Sequence, residues 1–158
     1  MEMDFIETID ELKTKYEYNI KDIDILEADD ICSHLGFLCY DGICCLLERI
    51  NQIIEKLKLY KGNKKDIADK YIKEMTESYN YYNNLEKEVL NYIRYYINAI
   101  RDIQADFKRR IEIKNIKDFS LRVIKEILNS NIQVYIKYDK EIINFLNKIK
   151  NLNFIINF

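Results

Sequence analysis

The chain has no proline, no tryptophan, only three glycines and a single histidine in 158 residues. Each scarcity excludes something. Proline breaks helices and glycine weakens them, so their near absence leaves long stretches free to stay helical. A β-rich chain of this length needs many more turn residues. Gly36, Gly42 and Gly62 lie too far apart for a phosphate-cradling glycine loop or a dinucleotide fingerprint. His34 alone cannot supply a His-Glu-x-x-His zinc site. Nor can it supply the two Glu-x-x-His pairs of a di-iron bundle, because Ile31 stands three residues before it.

No apolar run approaches the roughly 18 residues of a transmembrane helix. The start, Met1-Glu2-Met3-Asp4, is acidic and lacks the basic lead and apolar core of a secretory signal. The expectation is a cytoplasmic protein with no membrane span, in the host cytoplasm if the source is a virus. Of the four cysteines, Cys44 and Cys45 are adjacent, and free thiols are expected.

Ile, Lys, Asn, Tyr and Phe are plentiful, while Gly, Pro, Ala and Arg are scarce. Codons of the first group are rich in A and T, which points to an AT-rich genome such as those of some viruses, phages, parasites or bacteria. The thirteen tyrosines are therefore first read as mutational bias and only then as function. Net charge is −2, but it is unevenly spread. Residues 1–50 carry 13 acidic and 4 basic side chains, whereas residues 51–158 carry 14 and 21. An acidic first half packed beside basic later helices explains this, as does a basic surface that meets an acidic partner.

Apolar spacing predicts an all-α chain: a single antiparallel bundle, spanning 1–158, of about four long amphipathic helices with coiled-coil-like packing. The expected helices cover roughly 4–18, 30–61, 64–113 and 118–152. In the first, Phe5, Ile9, Leu12 and Tyr16 recur at helical spacing. Residues 19–29 read as a connector, with Asp29 or Asp30 as the cap of the second helix. That helix carries Cys32, Cys39, Leu46, Ile53 and Tyr60 at seven-residue steps, with Gly36, Ile43, Ile50 and Leu57 as a companion series. Asp41-Gly42 is a candidate bend, and Gly62 a left-handed helix stop. An unbroken third helix would be roughly 75 Å long, so a bend or break is expected near residues 79–84, where Tyr-Asn-Tyr-Tyr-Asn-Asn lowers helix propensity; without one the protein is elongated. Its stripe includes Ile93, Ile100, Phe107 and Ile111. The last helix, capped by Asp118 or Ser120, has the clearest stripe: Leu121, Leu128, Tyr135, Ile142 and Ile149, with Asn131 the polar exception in the partner series.

Three features carry candidate chemistry. Cys32, His34, Cys39, Cys44 and Cys45 suggest a metal- or thiol-dependent activity. On one helix, however, His34 points about 200° away from Cys32, and buried small hydrophobes are the plainer reading. Lys108, Arg109, Arg110, Lys114, Lys117 and Arg122 gather around the turn between the last two helices. They suit a phosphate or an acidic protein, and equally the solvated end of a helix. Nearby Tyr92, Tyr95 and Tyr96 offer rings on which bases could stack, although burial is expected for Tyr92 and Tyr96. Finally, the segment after Lys150 has no side-chain charge, and Phe154, Ile155, Ile156 and Phe158 are candidates for binding a partner or a second copy. Together these points favour a non-enzymatic helical protein, a viral or phage regulator that acts by binding another protein, with self-association to a homodimer expected. A nucleic-acid-associated factor using Lys108–Arg122 and an activity at Cys32–Cys45 are the alternatives. No catalytic residue, cofactor or metal is assigned.

Overall fold

The structure, a computed structural model, describes residues 9–151. Its elements are α1 (Ile9–Asn19), a single 3-10 turn (Ile25–Glu27), α2 (Ala28–Lys58), α3 (Lys65–Arg109) and α4 (Ile116–Lys150). The fold is all-α, as the spacing predicts, and there is no strand among the described residues.

The long range pairs give the topology. Along α2 and α3, Asp29 meets Gln104 and Tyr40 meets Glu86, so these helices are antiparallel. Tyr82 meets Phe145 and Tyr92 meets Tyr138, so α3 and α4 are also antiparallel. Cys32 meets Asn131, which places α2 parallel to α4, and Tyr16 fastens α1 to α4 through Asp139. The seven-residue stripes are the buried faces. Cys32, Cys39, Leu46, Ile53, Ile43, Ile50 and Leu57 from α2 pack with Val89, Ile93 and Ile100 from α3 and with Ile124, Leu128, Tyr135 and Ile142 from α4. At Gly36 an added Cβ would lie 2.9 Å from both Ile93 Cδ1 and the Tyr135 hydroxyl. The missing side chain is what lets the three helices meet there.

The connector after α1 has the partial helical character expected of it, in the 3-10 turn, and its Ile20, Ile23 and Ile25 are core residues. Several local expectations are corrected. Neither Asp29 nor Asp30 caps α2: both lie in its first turn, its N-cap residue Glu27 makes no side-chain cap bond, and Asp24 caps the 3-10 turn before it. Its carboxylate accepts a 3.0 Å bond from the Leu26 amide, and the 3-10 turn runs straight into α2. Asp41-Gly42 does not interrupt α2. Gly62 is not left-handed. It is needed because the Tyr60 ring folds over it, with the Tyr60 hydroxyl accepting from the Lys64 amide at 3.3 Å. The residue before α4 is Asn115, whose φ of 69° makes it the single left-handed non-glycine among the described residues, while Ser120 is buried inside the helix.

The largest correction concerns α3. It is one helix of 45 residues, continuous through 79–84, and therefore about 67 Å long. The weak propensity of Asn80, Asn83 and Asn84 is overridden by packing. Tyr82 and Leu85 are buried, the Tyr82 ring meets Phe145 edge-on with 5.1 Å between centroids, and the Tyr81 hydroxyl bonds Glu141 on α4.

Candidate functional site

The buried polar groups hold helices together. The Tyr16 hydroxyl donates to Asp139 at 2.8 Å inside the core, and burial beside that carboxylate holds the phenol well above its ordinary pKa. Gln104 Nε2 donates to the Ile25 carbonyl and to Asp29, both at 2.9 Å, with Arg101 3.5 Å from the same carboxylate. The Gln104 bond in turn keeps Asp29 below the usual carboxylate range. This clamp ties the start of α2 to α3. Deeper in, Cys32 Sγ lies 3.9 Å from Asn131 Oδ1, whereas Asn131 Nδ2 and the Tyr135 hydroxyl have no hydrogen-bond partner among the described residues. A buried asparagine in an apolar stripe fixes helix register at some cost in stability.

The Cys32–Cys45 segment does not converge. Cys32 and Cys39 are buried and His34 is exposed, as the helical angles imply. Burial pushes the Cys32 thiol up to about 12 and the Cys39 thiol higher still, so neither is a thiolate at neutral pH. Cys44 is half-buried and Cys45 exposed, and all four are free. Among the described residues, no three His, Cys, Asp or Glu side chains are placed to hold a metal ion.

The basic residues do converge. Gln104 lies level with the start of α2, so α3 beyond it and the first turns of α4 project past α2. Every residue from 108 to 115 on this tip is exposed. Between residues 108 and 122 stand six cations (Lys108, Arg109, Arg110, Lys114, Lys117 and Arg122) and two carboxylates. Arg109 and Arg110 share Asp106, at 3.5 and 3.2 Å. Lys108, Lys114, Lys117 and Arg122 have no ion-pair partner among the described residues, and Arg122 sits over the Phe119 ring at 5.6 Å. A shallow depression of about 290 Å³ follows along α4, lined by side chains of both signs, among them Asp118, Arg122, Lys125 and Glu126.

Three apolar side chains accompany these cations, and the sequence reading misses them: Ile111 is 64% exposed, Ile113 55% and Phe119 51%. Ile111 was expected on the α3 stripe because the helix was expected to reach 113. It ends at Arg109, which leaves both isoleucines in the turn. The left-handed Asn115 that closes this turn is the local signal of an earlier stop.

A second exposed feature lies on α3. Tyr92 is exposed rather than buried, and Tyr96 is half-buried. Tyr81, Tyr92 and Tyr95, 11 and 14 residues apart in register, fall within about 60° of one another and span about 21 Å of helix. Helical angles alone could have found this row. It runs beside α4, with Tyr92 against Tyr138 and Tyr95 edge-on to Tyr96. Phe154, Ile155, Ile156 and Phe158 lie outside the described residues.

One helical stretch among the described residues, Ile25–Lys58, is long and apolar enough by composition to cross a membrane. Its apolar stripe is the inner face of the bundle. Set beside protein-family models, curated proteins and solved structures, the chain matches none of them.

Proposed function

We propose that this chain is a non-enzymatic helical interaction protein, a viral or phage regulator in keeping with its AT-rich composition, that works by binding another protein. The observation that supports this reading most is the tyrosine row of α3. Tyr81, Tyr92 and Tyr95 stand 52%, 40% and 68% exposed on one face of a rigid helix. Tyrosine carries large contact area at low conformational cost and is enriched at protein interfaces, where a few aromatic anchors supply most of the affinity. The α4 neighbours hold the rings in place: Glu141 bonds Tyr81, and Tyr138 backs Tyr92. Such a face is preorganised for recognition.

The test is a quantitative pull-down from the native host with the wild type and with Tyr92→Ala/Tyr95→Ala. The expected result is a stoichiometric complex that the double variant weakens by about thirtyfold or more, with helicity retained and only a modest fall in melting temperature, because Tyr92 gives up its contact with Tyr138. A complex indifferent to both substitutions would remove the tyrosine row from the binding surface. The absence of any stoichiometric complex would remove the reading itself.

A further inference from the structure

We infer that the α3–α4 tip is a docking surface for an anionic lipid membrane. At this end α3 and α4 outrun α2, and all residues from 108 to 115 are exposed. At the apex, Ile111 and Ile113 face solvent on either side of Glu112, and Phe119 joins them from the first turn of α4. The turn is ordered by backbone bonds, from Ile113 N to the Arg110 carbonyl at 2.9 Å and from Ile116 N to the Ile113 carbonyl at 3.2 Å. Both isoleucines are therefore presented without having to be ordered on binding.

Charge supplies the second part. Between residues 106 and 122 stand six cations against three carboxylates, one of which, Asp106, is shared by Arg109 and Arg110, and Lys108, Lys114, Lys117 and Arg122 are not engaged in ion pairs among the described residues. Basic side chains near an anionic leaflet are attracted within a Debye length, and apolar side chains enter the boundary between headgroups and acyl chains. Neither signal alone gives stable attachment, but the combination does. Nucleic acid shares the charge requirement and not the apolar one: aliphatic isoleucines offer no stacking platform, and phosphate contacts do not call for them. The chemistry thus favours lipid. This surface is separate from the tyrosine row, so the two can fail independently.

The experiment is vesicle flotation of the full chain with phosphatidylcholine alone and with phosphatidylcholine and phosphatidylserine mixed at about two to one. The protein is expected to float with the anionic vesicles, to stay behind with the neutral ones, and to be released as salt rises. Ile111→Ser/Ile113→Ser and Lys114→Glu/Lys117→Glu/Arg122→Glu are each expected to lower the partitioning at least about tenfold. Their melting temperatures should match the wild type, because all these positions are exposed. Since the chain has no tryptophan, Phe119→Trp gives a single reporter, whose emission should shift to the blue on anionic vesicles only. Tyr92→Ala/Tyr95→Ala should float like the wild type. No flotation with anionic vesicles overturns the inference. So does flotation unaffected by the isoleucine substitutions together with binding of duplex DNA or RNA, since the tip would then be a general polyanion contact.

Discussion

Two glycines of the same helix make opposite demands. Gly36 sits where α2, α3 and α4 meet, and a methyl group there would push into Ile93 and the Tyr135 hydroxyl. Gly42, six residues on, has nothing within 4 Å of the same construction. Gly36→Ala should therefore destabilise the fold by about 1–2 kcal/mol, the overpacking strain outweighing the gain in helix propensity. Gly42→Ala should stabilise it by up to about 1 kcal/mol. Urea denaturation of the two variants checks the pair, and equal shifts would mean that the close approach at Gly36 is wrong. The buried phenols and thiols make a second prediction. Burial raises the pKa of Tyr16, Tyr82, Tyr135, Cys32 and Cys39 in the folded state, Tyr82 to about 12. A group raised on folding contributes stability below its unfolded pKa and loses it as pH climbs toward its folded one. Stability should thus hold at neutral pH, begin to fall near the ordinary thiol value of 9 and fall further beyond the ordinary phenol value of 10. Tyr16→Phe should cost about 1–3 kcal/mol at neutral pH, because the buried Asp139 loses a donor, and should reduce the alkaline decline. Denaturation midpoints across that range, with tyrosinate absorbance as the titration marker, test both statements. A midpoint flat to pH 11 would deny that these groups stay neutral in the fold.

The helices themselves show what sequence can and cannot say. The stripe of α4 was legible because burial on one side leaves a seven-residue signature, and Leu128, Tyr135, Ile142 and Ile149 are all buried. Helix ends were less legible, since they depend on contacts that the local sequence does not contain. Asp29 does not cap α2 but lies in its first turn, where it accepts from Gln104, a residue 75 positions away, because a 3-10 turn capped by Asp24 feeds the helix from further upstream. The continuity of α3 was hidden for the same reason. Local propensity at 79–84 argues for a break, while the partners that override it, Phe145 and Glu141, belong to another helix. The candidate sites divide likewise. The basic turn was visible as a cluster of cations, but the exposure of Ile111 depended on where α3 ends. The prediction at this scale is that backbone amides across 79–84 exchange as slowly as those of flanking turns, and that Asn84→Pro, at an exposed position inside the helix, costs about 3 kcal/mol or more. Fast exchange confined to these six residues, or a proline tolerated there, would restore the break.

At the level of the whole molecule, the consequence of an unbroken α3 is shape. A helix of 45 residues fixes a long dimension of at least about 67 Å. A rod of that length has a radius of gyration of roughly 20 Å, against roughly 15 Å for a compact chain of 158 residues. Small-angle scattering should therefore return the larger value. A value near 15 Å would mean that α3 folds back on itself, and would also take away the projecting tip on which the lipid inference rests. Scattering must be read with the mass, because the seven-residue stripes also suggested self-association. In the structure most of the stripe residues among the described ones are buried within one chain, α2 packing against both α3 and α4. Light scattering on the same full-length sample separates the cases. A monomeric mass with the larger radius means one elongated chain whose two exposed features, the tyrosine row and the basic tip, are both free for other partners. A dimeric mass would place the contact on one of those surfaces or on Phe154–Phe158. Repeating the measurement on Tyr92→Ala/Tyr95→Ala and on Ile111→Ser/Ile113→Ser would then show which surface the second copy covers.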